Sequence, residues 1–143
     1  MHRHGAQLHR WPARGFTLLE LLVVMVIIGM LASFVAPRYF AQVGKSKAKS
    51  ARAQIVALEQ ALDQFRLDVG RYPSAEEGLA ALDQAPSADQ SWAGPYLKKP
   101  VPLDPWGKPY VYVIPGVRGD VDITSLGRDG RTGGSGEDAD VTN

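Results

Sequence analysis

The chain has 143 residues, room for one small domain plus a membrane or targeting element but not for two full domains. Its composition is ordinary for a globular protein, and a net charge of +1 marks no nucleic-acid or acidic partner by itself. With no cysteine it has no thiolate metal site, thiol nucleophile or disulfide, so a small exported domain must be held by its core or by a metal.

The charges are unevenly placed. Residues 1–15 carry Arg3, Arg10 and Arg14 and no acid, whereas 120–143 hold Asp120, Asp122, Asp129, Glu137, Asp138 and Asp140 against Arg128 and Arg131. A basic head and an acidic tail fit two different environments. Between Phe16 and Ala36 the sequence reads FTLLELLVVMVIIGMLASFVA, with Glu20 its one charge. A helix of about 20 residues spans about 30 Å, the thickness of a bilayer core. The arginines ahead of it predict a cytoplasmic N-terminus. A cleaved secretory signal has the same basic head, but its apolar core is usually about 7–15 residues. Here the run is longer, and Ala32–Ala36 leads straight on toward further helix rather than to a polar cleavage boundary.

Glu20 is the informative residue. A carboxylate in an apolar span costs about 2.5–3.5 kcal/mol at the centre of the membrane and less near its edge. Such a residue calls for a cation, and the span supplies none.

Arg14-Gly15-Phe16-Thr17-Leu18-Leu19-Glu20 resembles the N-terminal signal of type IV pilins and pseudopilins: a basic leader, Gly, then Phe-Thr-Leu-x-Glu and an apolar helix. The resemblance implies that a prepilin peptidase cuts after Gly15 and methylates the new amine of Phe16. It also implies that this amine pairs with Glu20 of a neighbouring subunit during filament assembly. The chain then divides into a leader (1–15), a transmembrane and assembly helix (16–37) and an amphipathic helix with a periplasmic head (38–143). Pro37 ends the span, and Gly29 is a second weak point in its helix. The segment between them either stretches on assembly or is only a kink at the membrane exit.

Beyond Pro37, apolar residues recur at Ala51, Ile55, Leu58, Leu62, Phe65 and Val69, one stripe of an amphipathic helix. About three heptads is the lower limit for a coiled coil, so packing on a small sheet is expected. Lys45, Lys47, Lys49 and Arg52 have no interleaved aromatic residues, which favours a solvated face or lipid headgroups over nucleic acid. The helix stops at Gly70. Ser74 and Glu77 then form a capping box for a short helix from Ala75 to about Asp83. Residues 85–100 read as loop, with Trp92 and Tyr96 as core anchors. Val111–Ile114 and Val121–Ser125 read as strands of a small antiparallel sheet, joined through Pro115-Gly116.

Arg71-Tyr72-Pro73, Glu77-Gly78-Leu79, Asp104-Pro105-Trp106-Gly107 and Asp122-Ile123-Thr124-Ser125-Leu126-Gly127 are similar to the head of the major pseudopilins of type II secretion. That resemblance implies an α+β, pilin-like fold with a C-terminal metal-binding loop. From pattern alone the glycine-rich acidic tail is either solvated or a site for a hard cation. The family resemblance implies calcium, with Asp129, Asp140 and the Leu126 carbonyl as ligands, joined by Asp138 and the Ser135 carbonyl. The family often ends in Gly-Asn-Trp, whereas this sequence closes on Val141-Thr142-Asn143.

No Ser/His/Asp grouping or phosphate-binding glycine loop occurs, and His2, His4 and His9 all lie in the leader. The expected function is structural rather than enzymatic. Subunits polymerise into a pseudopilus that pushes folded proteins through the outer membrane. Minor pseudopilins, the peptidase and an inner-membrane assembly platform are the implied partners, and nucleic acid is not. A related filament for DNA uptake or adhesion is the alternative.

Overall fold

The computed structural model describes residues 15–86 and 90–143. The leader expected at residues 1–15 therefore lies, apart from Gly15, outside the described residues. The chain divides into two compact units between Arg38 and Tyr39.

Helix α1 runs Leu18–Val69. Its start is capped by its own sequence: Thr17 N–H donates to Glu20 Oε2 at 2.8 Å, and Glu20 N–H donates to Thr17 Oγ1 at 3.2 Å. This reciprocal pair satisfies two main-chain donors that the first turn leaves open. The first unit's part of α1 is long and apolar enough to cross a membrane, and none of that stretch is buried. Leu18, Phe34 and Leu31 are exposed in a patch far too large for a surface facing water. Pro37 sits inside α1 without ending it. Its missing N–H frees the carbonyl four residues earlier, at Ser33, whose hydroxyl already bonds back to Met30 O at 2.6 Å. Two local defects thus fall within one turn of each other, between Gly29 and Pro37.

The second unit is built on the remainder of α1. The predicted stripe is its core: Ala51, Ile55, Leu58, Leu62 and Phe65 are buried, with Ala61 beside them and Val69 at the rim. Gly70 closes the helix through its N–H to Arg66 O at 2.8 Å. The Ser74–Glu77 capping box forms as expected, at 2.7 and 3.2 Å. The single helix expected over 75–83 does not. Gly78 takes a left-handed φ of +56° and its N–H closes the turn on Ser74 O. A 3-10 helix, Gly78–Leu82, follows and buries Leu79, Ala81 and Leu82. Glycine makes that reversal cheap, and the reversal is what ends α geometry.

Trp92 and Tyr96 anchor the loop as predicted. Trp92 Nε1–H donates to Ala81 O at 2.9 Å, and the Tyr96 ring meets Phe65 and Trp92 edge-on at 5.6 and 5.7 Å. The sheet has three antiparallel strands, β1 (Val111–Val113), β2 (Asp122–Ser125) and β3 (Val141–Thr142), in the order β1-β2-β3. Tyr112 pairs with Ile123, and Ser125 with Val141. β3 is a two-residue strand that sequence periodicity does not register.

Acid sensitivity arises at the turn after α1. Arg71 holds Glu77 in a two-pronged ion pair at 2.6 and 2.8 Å, and the Ser74 N–H adds a bond. The guanidinium first and the main-chain donor second lower the Glu77 carboxyl from 4.5 to about 2. The folded state therefore binds fewer protons than the unfolded state across that window. This contribution is present above pH 4.5 and is lost as pH falls toward 2. Urea midpoints measured across that range should fall in the native chain and fall less in Glu77→Gln. Equal slopes would remove Glu77 from the acid response.

Candidate functional site: the helix start and the C-terminal loop

Two places carry the predicted functional residues, one in each unit. At the first, Phe16 is 81% exposed and Glu20 accepts bonds from both the N–H and the hydroxyl of Thr17, at 2.8 and 3.1 Å. Among the described residues the carboxylate is thus met by neutral donors, and no cation reaches it. Behind Gly15 the Phe16 nitrogen is an amide. Only cleavage between them makes it an amine that can carry charge. The capping role of Thr17 was readable in the Thr-x-x-Glu spacing but is not part of the charge argument that singled out Glu20.

The second place is the loop from Leu126 to Asp140, closed by β3. Its base is built on Asp104, which is buried. The Ser125 hydroxyl donates to Asp104 Oδ2 at 2.5 Å, while the N–H groups of Trp106 and Lys108 donate to Oδ1 at 3.0 and 2.8 Å. The Asp-Pro-Trp-Gly turn is thereby tied to the end of β2, just where the loop leaves. Gly127 admits the returning chain: a Cβ there would stand 2.8 Å from Glu137 O and 2.9 Å from Ala139 O. On its returning limb the loop seats on α1, where a Cβ on buried Gly44 would fall 2.5 Å from Glu137 Cγ.

The acids of the loop are used unequally. Asp138 and Glu137 are held by Arg128, at 3.0 Å in each pair. The Asp138 hydrogen bond is the main cause raising the Arg128 pKa. Asp129 Oδ1 accepts Arg131 N–H, and Asp140 Oδ2 accepts Gly133 N–H, both at 3.0 Å. Ser135 O accepts Asp138 N–H at 3.1 Å. Asp140 Oδ1 is buried and has no hydrogen-bond partner. Among the described residues, no three acidic or histidine side chains are gathered as they would be around a metal.

A long helix with an unburied apolar first part, followed by a head of three antiparallel strands on its amphipathic part, defines a pilin-like subunit. The family model for type II secretion system protein G matches residues 38–143, and that for the prokaryotic N-terminal methylation motif matches 12–36. The chain is 44% identical to type II secretion system core protein G of Pseudomonas aeruginosa, covering 95% of this chain and 98% of that one. It is 46% identical to the Vibrio cholerae protein of the same name, covering 90% of each. The crystal structure of the major pseudopilin from the type 2 secretion system of enterohaemorrhagic Escherichia coli superposes with a TM-score of 0.60 at 36% identity, over 69% of this chain and 87% of that one. The chain belongs to the type II secretion system protein G family.

Proposed function

We propose that this chain is the major structural subunit of a type II secretion pseudopilus and has no catalytic role. The observation that carries the reading is the wholly exposed apolar start of α1 with Glu20 in its first turn, in a chain of this family. An apolar rod of this length is stable in only two surroundings, a bilayer or a bundle of its own kind. The subunit waits as a single-pass protein of the bacterial inner membrane with its head in the periplasm. It then passes into a helical homopolymer, where its growth drives folded proteins outward. The methylation-motif match supports cleavage by a prepilin peptidase between Gly15 and Phe16. Minor pseudopilins and the inner-membrane assembly platform are the remaining partners of this scheme. The tested outcome is the mass of the mature N-terminus, which should begin at methylated Phe16. Retention of residues 1–15 in mature protein would overturn it.

The same reading places calcium in the C-terminal loop. The buried, unpartnered Asp140 Oδ1 supports it, because a buried carboxylate oxygen without a partner is costly and a hard cation relieves that cost. Asp129, Asp140 and the carbonyls of Leu126 and Ser135 would hold the ion. The Asp138 carboxylate, engaged by Arg128, joins only if that ion pair opens. The ion would neutralise carboxylates and cross-link a loop rich in glycine. Its removal with a chelator should lower the melting temperature of the head by about 10–20 °C, if calcium is otherwise near a hundredfold excess over its dissociation constant. An unchanged melting temperature would count against calcium.

A further inference from the structure

Lys108 stands at the same loop and has no part in the scheme above. Its main chain is pinned from both sides by Asp104, which accepts the Lys108 N–H at 2.8 Å and donates its own N–H to Lys108 O at 2.7 Å. From that fixed base the side chain extends to the start of the loop. Lys108 Nζ donates to Gly127 O at 3.4 Å and to Arg128 O at closer range. Gly130 lies against it, so a Cβ added there would stand 2.9 Å from Nζ and 3.1 Å from Cε. The acceptors of the ammonium are therefore carbonyls, while the nearby carboxylates of Glu137 and Asp138 go to Arg128. A half-buried positive charge solvated by main-chain oxygens in a loop of carboxylates is in the position of a bound cation.

We propose that the Lys108 ammonium is a tethered cation for this loop, gathering its first carbonyls without metal and opposing, by its charge, a divalent ion bound further along. The first half stands without calcium, and the second rests on the calcium reading. A point charge on a flexible stem can hold carbonyls together yet cannot replace the bidentate reach of an arginine. It orders the start of the loop and leaves Asp129 and Asp140 to a metal. Like charges repel, so the price of that early order is weaker calcium binding.

The test uses the full chain in detergent with Lys108→Met, which keeps the apolar stem, and Lys108→Gln, which also keeps a donor. Hydrogen exchange of peptides covering residues 126–140, measured in chelator, should be about tenfold faster in Lys108→Met than in the native chain. Added calcium should restore native protection. Calcium titrations followed by calorimetry should show dissociation constants at least about threefold lower in both neutral variants. Unchanged loop exchange in chelator would overturn the ordering role. A lower melting temperature with unchanged calcium affinity would overturn the opposition and leave only packing. If no form of the chain binds calcium, the calcium reading falls together with the second half. Exchange in chelator still decides the first half.

Discussion

Glu20→Ala should abolish filament growth and reduce secretion by about tenfold or more, and Glu20→Gln should do nearly the same. The comparison separates the capping role that the structure shows for this side chain from the intersubunit charge pair proposed for it. As the third residue of a capping box, Glu20 satisfies the Thr17 N–H. Losing a cap costs about 0.5–2 kcal/mol. Glutamine retains an oxygen for that bond, so Glu20→Gln should leave the helix start intact. What glutamine lacks is charge. Breaking an ion pair held in low dielectric costs about 3–5 kcal/mol, and only about 1.4 kcal/mol is needed for a tenfold change in an equilibrium. Helicity of the isolated subunit in detergent should stay near native in Glu20→Gln while polymer yield collapses. Normal polymers in Glu20→Gln would leave capping as the residue's role and remove the intersubunit charge pair. Thr17→Ala is the complement: it removes the hydroxyl half of the box and keeps the charge. Its effect on polymers should be smaller.

Asp104→Ala is the second large effect, and it falls on the head. Asp104 is 4% exposed and accepts from Ser125, Trp106 and Lys108. Truncation strands three donors at once, at a cost of about 3–5 kcal/mol. Domains of this kind have about 5–15 kcal/mol in total, so the head should become marginal. Urea unfolding of the full chain in detergent, followed by Trp92 and Trp106 fluorescence, measures this directly. Asp104→Asn keeps an acceptor for the two N–H groups, and the Ser125 hydroxyl can rotate to accept from the new amide, so its loss should be under half as large. Equal midpoints for native and Asp104→Ala would show that the turn and the end of β2 are held by other contacts. Because Lys108 departs from this same turn, the alanine variant should also release the first carbonyls of the loop.

Much of the architecture was legible from local pattern. The 4-3 spacing of Ala51, Ile55, Leu58, Leu62 and Phe65 named most of the buried face of α1 but not Ala61 or Gly44, since a helix repeats its faces within a few positions. Trp92 and Tyr96 were readable as anchors because large aromatics in an otherwise polar loop have few other uses. The apolar run with Glu20 was readable for the same reason: one charge in a hydrocarbon-like stretch is costly wherever the chain folds. The short helix at Ala75 was legible only up to its cap. Its Ser-x-x-Glu signal formed, but Gly78 took a left-handed conformation that composition permits without requiring.

The sequence by itself determined where the rod lies, most of its buried face, and which acid stands in its apolar stretch. Each of these depends on neighbours within about one or two helical turns, so spacing alone states them. Only the tertiary structure decided the use of the polar residues in the head. Asp104 and Ser125 are 21 positions apart yet share one buried bond, Arg128 takes Asp138 out of the acidic loop, and β3 exists because β2 offers it an edge. Hydrogen bonds and ion pairs select partners by distance in space, and a chain with no fixed fold has no such distances to read.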